Sequence, residues 1–171
     1  GGVQTDLYPI SFGVDVIGFE PDPLEFEQLE ILDSDPWKSI TLLPYGVGAE
    51  TGLQKLYVPE DPQSASFFKH DTSFGEKFNK KHLFQLDRTE TIQTLTLADA
   101  LKKTPFSSID FMKVDIEGAE LSVFNSCPKV MNELLAIKTE VSFMPFRDSQ
   151  PLANELDLFV QEMGFELMEI I

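Results

Sequence analysis

The chain has 171 residues, a length that suits one domain and can bury a real core. Its 29 acids against 13 bases give a formal net charge of −16, which argues against a broad electrostatic footprint on nucleic acid or an anionic membrane. No apolar run approaches the length of a membrane span and no secretory signal opens the chain, so the expectation is a cytoplasmic protein with neither a membrane nor a nucleic acid as partner.

In chain order, Val3, Leu7 and Ile10 have helical spacing, with Pro9 close to a helix end or kink. Gly13 breaks that pattern, and Val14 to Phe19 reads as a short buried strand. It runs into Glu20-Pro21-Asp22-Pro23, where the prolines stop the strand and Asp22-Pro23 makes an N-cap and first helical residue. A helix through Leu24, Phe26, Leu29 and Leu32 follows, closed by Asp33 to Pro36. Ile40 to Leu43 is the next strand. Leu53 to Val58 alternates imperfectly and reads as an antiparallel addition. Residues 61–88 are polar, irregular and long for a structureless loop, so they are expected to form a functional lid with short elements; a disordered surface insertion is the other reading.

Thr91 to Leu95 reads as a strand, and Thr96 begins a helix with Asp99 in a capping-box-like position. The apolar run Phe111, Met112, Val114, Ile116 predicts a strand covered on both faces that leads straight into a helix over Ala119 to Asn125. A short helix over Pro128 to Leu134 and a strand over Leu135 to Val141 come next. Gln150 to Met163 carries the clearest apolar stripe, Leu152, Leu156, Phe159, Val160 and Met163; Gly164 closes it and Phe165 to Ile171 is the expected last strand. Strands alternating with helices predict an α/β fold, a doubly wound and mostly parallel sheet with an antiparallel C-terminal strand. Cys127, the single cysteine, lies between Phe124 and Val130 and reads as a small core residue; His70 and His82 are too few and too polar in context for a histidine metal site.

Charged residues inside buried strands need partners or a purpose. Asp115 falls at the C-terminal edge of the central strand, where open α/β sheets bind ligands, and Glu117 and Glu120 follow around Gly118. Glu20 and Glu140 occupy equivalent strand ends. A carboxylate at the position of Glu20 can accept from both hydroxyls of a nucleotide ribose; an exposed turn acid is the plainer reading. Lys113-Val114-Asp115 and Lys138-Thr139-Glu140 share a pattern. In parallel neighbours each lysine could neutralise an acid on its own or the adjacent strand, as a structural network or as a polar patch at the ligand edge.

Taken together, Gly18 to Pro23, Thr94 to Leu97, the block from Ile109 to Glu120, Glu140 to Phe143 and Gly164-Phe165 resemble the FkbM-type methyltransferases in order and spacing across nearly the whole chain. The resemblance implies an S-adenosylmethionine-dependent methyltransferase on a Rossmann-like sheet, methylating an oxygen of a sugar or another small-molecule acceptor. It implies that Glu20 and Pro21 contact the cofactor, with Glu20 on the ribose. Asp115 would lie beside the methionine part and the transferring methyl, with Glu117 and Glu140 facing the acceptor as the other catalytic candidates. Ser64 and Ser66 stand where the family has a serine-rich segment. The family's first strand and glycine loop would precede Gly1, so Gly1 and Gly2 are expected inside the cofactor loop and the first strand is expected to be missing from this single, N-terminally incomplete domain. The strands ending at Glu20 and Asp115 would then pair directly, borrow a strand, or belong to a longer chain. Two rivals stand beside the enzyme: a Rossmann-like interaction module without catalysis, and a nicotinamide-dependent oxidoreductase, which lacks its glycine fingerprint here.

Overall fold

A computed structural model describes residues 5–31 and 33–170, so the expectations placed on Gly1, Gly2, Val3, Leu32 and Ile171 lie outside the described residues. Thr5–Gly13 winds as a 3-10 helix that takes in Pro9, and β1 (Asp15–Phe19) follows. Asp22 then caps α1 (Pro23–Glu30), its side chain accepting from the amides of Leu24 and Glu25, as the Asp-Pro pair predicts. Packing of α1 differs from expectation: the helix forms, but none of its residues is buried. Local capping fixes where it starts without supplying a surface for it to cover.

β2 (Ser39–Leu43) runs parallel to β1, in register from Asp15 with Ser39 to Phe19 with Leu43. The short β3 (Gly46–Val47) lies parallel to β5 (Leu86–Leu95), and β4 (Gly52–Pro59) lies antiparallel to β5 on its other side. The predicted antiparallel addition is therefore present. β5 begins five residues earlier than the predicted strand start at Thr91, because Tyr57, Leu56 and Lys55 of β4 pair with Thr89, Glu90 and Thr91. Between β4 and β5 the 61–88 stretch holds α2 (Thr72–Lys77), α3 (Lys81–Phe84) and a 3-10 turn at Pro62–Ser64, so the expected short elements are present.

Thr96 caps α4 (Leu97–Leu101) through the amide of Asp99. β6 (Phe111–Val114) leads to α5 (Glu120–Ser126), then α6 (Pro128–Glu133), β7 (Ala136–Thr139) and α7 (Ala153–Glu162). β6 and β7 are parallel, in register from Phe111 with Ala136 to Val114 with Thr139. Met112 and Val114 are buried but Lys113 is exposed, so one face of β6 is open and the expected two-sided cover is corrected. The apolar run mixed the strand proper with Ile116, which lies in the turn beyond it.

The core gathers where α4, α5, α6 and α7 meet β6. Val123, Phe124 and Met131 are wholly enclosed, and Cys127 sits among them as a small core residue. Burying each such apolar side chain contributes about 1.5–3 kcal/mol. Leu156 is buried on the predicted stripe of α7, with Phe159, Val160 and Met163 packed against the same cluster.

The described strands form three sheets, β1–β2, β3–β5–β4 and β6–β7, an α/β arrangement with three parallel pairs and one antiparallel pair. β1 and β6 share no strand pairing. The expected antiparallel C-terminal strand does not form over residues 165–170. Gly164, at a φ of +93°, turns the chain out of α7, and Phe165 packs on the core, but Leu167, Met168 and Ile170 stay exposed. Alternating apolar residues make a strand only where a neighbouring edge accepts its hydrogen bonds, and residues 165–170 meet none.

Candidate functional site

Asp115 is the first residue beyond β6. The chain then turns sharply: Glu117 has a φ of +57° and Gly118 a φ of +104°. Glycine adopts this region freely, whereas a glutamate held there costs about 1 kcal/mol or more, so other contacts must hold it. Glu120 closes the turn, its Oε1 accepting from the amides of Ile116 at 2.9 Å and Gly118 at 3.4 Å. Buried at the start of α5, Glu120 caps the turn and meets the positive end of the helix.

The parallel ladder continues one step past β7, where the Glu140 amide donates to the Val114 carbonyl at 3.2 Å. That step sets Glu140 beside Asp115. Carboxylate oxygens of Asp115, Glu117 and Glu140 all lie within 4.8 Å of one another. Carboxylates at this spacing repel unless a proton, a guanidinium or another cation joins them. Arg147, itself buried, supplies the guanidinium through an ion pair from Nη2 to Glu117. Lys113 Nζ stands 3.7 Å from Asp115, the same-strand neutralisation that the Lys-Val-Asp pattern predicts.

The remaining repulsion is relieved by protons. Burial pushes the Glu117 carboxyl up, with Asp115 and Glu120 adding to the rise and Arg147 opposing it. Glu140 is pushed up to about 7, first by burial and then by the charges of Glu117, Asp115 and Glu120, again with Arg147 opposing. A carboxyl that titrates near neutrality can both take and give a proton under ordinary conditions, as general acid–base catalysis requires.

Glu20 stands at the C-terminal end of β1, outside this group of three. It is half-buried, its amide donates to the Leu43 carbonyl at 3.1 Å, and its Oε1 accepts from the Asp22 amide at 2.9 Å. Pro21 follows it in the turn, and a Cβ added at Gly46 would come 3.9 Å from the Pro21 ring. The structure thus brings Asp115, Glu117 and Glu140 together and puts Glu20 at the β1–β2 pair, also just past a strand end.

Sequence reasoning missed Arg147, His70 and Gln150. Ser66, noted only as part of a weak serine signal, is almost completely buried and donates its hydroxyl to the Glu117 carbonyl at 2.7 Å. His70 Nε2 lies 2.8 Å from the Ser64 carbonyl and 3.4 Å from Arg147 Nε. A carbonyl only accepts, so Nε2 carries the proton, and the arginine beside it is a packing neighbour. Burial pulls the histidine below its usual range, keeping it neutral at pH 7. Gln150, predicted to open α7, precedes that helix; it is buried, and its Nε2 donates to Ser142 Oγ at 2.7 Å. A signal for Arg147 was present: it is one of two arginines in a strongly acidic chain.

A cleft of about 270 Å³ is lined by Gly48, Ala49, Glu50, Gln54, Phe67, Phe68, Ala119 and Ser122, whereas Glu140 and Glu120 line a separate, much smaller pocket with Gly118, Ser142 and Gln150. Phe67 follows Ser66, and Ala119 lies two residues from Glu117, so the 61–88 segment and the end of the acidic turn each contribute to the lining of the cleft.

Among known families, the methyltransferase FkbM domain matches residues 10–167. Comparison with curated proteins and with solved structures found no match.

Proposed function

Because the chain belongs to the FkbM methyltransferase family, we propose that it transfers a methyl group from S-adenosylmethionine to a hydroxyl of a small molecule such as a sugar. The observation that carries the proposal is the group formed by Asp115, Glu117 and Glu140 at the ends of β6 and β7, with one carboxyl titrating near neutrality. Parallel strand pairs alternating with helices support a Rossmann-like, doubly wound frame for it.

In this reading Glu20 binds the cofactor ribose. Its carboxylate accepts from the Asp22 amide with one oxygen and has further lone pairs free to accept, which fits a pair of donating hydroxyls. Pro21 fixes the turn that carries it. Asp115 lies beside the methionine part. When bound, the cofactor would supply an electrophilic sulfonium methyl to an acceptor oxygen, with S-adenosylhomocysteine as the leaving product. Glu117 orients the acceptor hydroxyl and Glu140 takes its proton. An ordinary carboxylate is a weak base for an alcohol, whereas one titrating near 7 is a stronger base that is still about half ionised at neutral pH. Alignment of oxygen and methyl supplies much of the rate.

Isothermal titration with S-adenosylmethionine and S-adenosylhomocysteine, followed by labelled-methyl transfer to a panel of hydroxylated small molecules, tests the proposal. Saturable binding of both nucleosides and label in an ether product are expected. A folded protein that binds neither is the non-catalytic interaction module instead.

A further inference from the structure

The two atoms that hold Glu117 come from far away in sequence, yet both are aimed by one strip of the lid. Ser66 is braced on β4: Tyr57 donates its amide to the Ser66 carbonyl at 2.8 Å and accepts from the Ser66 amide at 3.0 Å. That leaves the Ser66 hydroxyl pointed at the Glu117 carbonyl, while the same oxygen accepts from the Phe68 amide at 3.0 Å. Arg147 is braced four residues further along the strip. Asp71 donates its amide to the Phe146 carbonyl at 3.0 Å, and Asp148 donates to the Lys69 carbonyl at 2.8 Å, around the antiparallel bridge of His70 with Arg147. Phe146 is packed edge-on against Phe74 of α2, ring centres 5.2 Å apart, and lies 5.9 Å from Phe84 of α3.

We propose that Ser66 and Arg147 are positioning residues for Glu117, the serine fixing its backbone and the arginine its carboxylate, so that the 61–88 segment is a working part of the site and not a surface insertion. A non-glycine residue at a φ of +57° needs such a grip, and Glu117 has one at each end. Burying an arginine and a serine hydroxyl is costly without partners, and both find theirs in this one residue. The groups facing Glu117 are Asp115 at the end of β6, Glu140 at the end of β7, Glu120 at the head of α5 and Arg147 from the loop beyond β7. His70 beside Arg147 is neutral and adds no charge. Lid docking and the direction of the Glu117 carboxylate are therefore one event.

The inference rests on the reading of Glu117 as the residue that orients the acceptor, and two independent measurements separate them. The first is a carbon-detected NMR titration of the Glu117 carboxyl in the wild type, Arg147→Gln, Arg147→Lys and Ser66→Ala, with amide hydrogen exchange over residues 64–70. Arg147→Gln is expected to move the Glu117 midpoint up, and Arg147→Lys to return it towards the wild-type position, which a merely structural arginine would not do. Ser66→Ala is expected to lower protection of the Phe68 amide by about tenfold. Should Arg147→Gln fail to fold, Arg147→Lys and Ser66→Ala carry the test. A Glu117 midpoint that ignores Arg147, or unchanged protection in Ser66→Ala, overturns the proposal. The second measurement is calorimetry of the wild type with S-adenosylhomocysteine. No binding there, with a shifted midpoint in Arg147→Gln, removes the methyltransferase reading and supports the positioning claim; binding with an unmoved midpoint does the reverse.

Discussion

Replacing Glu140 with Gln removes a charge from a place where charge is unwelcome, and the effect on stability depends on pH in a defined direction. In the folded chain the Glu140 carboxyl titrates at about 7 against an ordinary value of 4.5. The folded state therefore holds this proton more tightly than the unfolded state. Glu140 contributes stability that is fully present below about pH 4.5 and is lost as pH rises through 7. At 1.36 kcal/mol per decade the full difference would be about 3 kcal/mol, but Glu140 is more than a third exposed, and solvent screening reduces it to about 1–2 kcal/mol. Gln keeps the shape and never ionises. Glu140→Gln should accordingly match the wild type near pH 4.5 and exceed it by about 1–2 kcal/mol at pH 8. Urea denaturation at pH 4.5, 6 and 8, with a common slope, measures the difference. A Glu140→Gln protein that is less stable than the wild type at pH 8, or whose difference is the same at every pH, would refute the account of the acidic group. The same variant should lose methyl transfer, so stability and activity move in opposite directions.

Glu20→Ala should weaken binding of S-adenosylhomocysteine by about 2–4 kcal/mol, from two charge-assisted hydrogen bonds to the ribose; unchanged affinity in calorimetry would make Glu20 a turn acid only. Gly118→Ala should cost about 1–3 kcal/mol in urea denaturation, since its φ of +104° disfavours any side chain and its new Cβ would lie 3.0 Å from the buried Gln150. A loss below about 0.5 kcal/mol would mean that the turn relaxes freely. Phe124→Ala should cost about 3–5 kcal/mol, because the ring is wholly enclosed between α5 and the core; a cost under 2 would show that the core collapses around the gap.

What the sequence made legible shares one property: its cause lies within a few residues. Asp22 caps α1 because Leu24 and Glu25 are its neighbours, and Thr96 caps α4 through Asp99, three positions on. Even Asp115 beside Glu140 was within reach, since Lys113-Val114-Asp115 and Lys138-Thr139-Glu140 carry the same spacing and Lys113 pairs with Lys138 in register. Features decided by distant partners were not legible. The open face of α1, the early start of β5 and the missing strand over residues 165–170 depend on whether another element offers an edge or a face. Sequence alternation states a capacity for pairing and not its fulfilment.

Three carboxylates could be counted from sequence, but their chemistry could not, because a titration point is a sum over surroundings. Glu140 differs from any other glutamate here through burial and through Glu117, Asp115 and Glu120, which reach it only by the pairing of β6 with β7 and the turn into α5. Glu117 in turn depends on Ser66, 51 residues before it, and Arg147, 30 residues after. Arg147, with Lys113 beside Asp115, keeps the group from being purely repulsive. Without a guanidinium, three acids within 4.8 Å would either hold several protons or drive the strand ends apart. With it, one ion pair is fixed at Glu117 and the adjustable proton is left to Glu140, a division of roles between neighbouring carboxylates that their environments, not their identities, create.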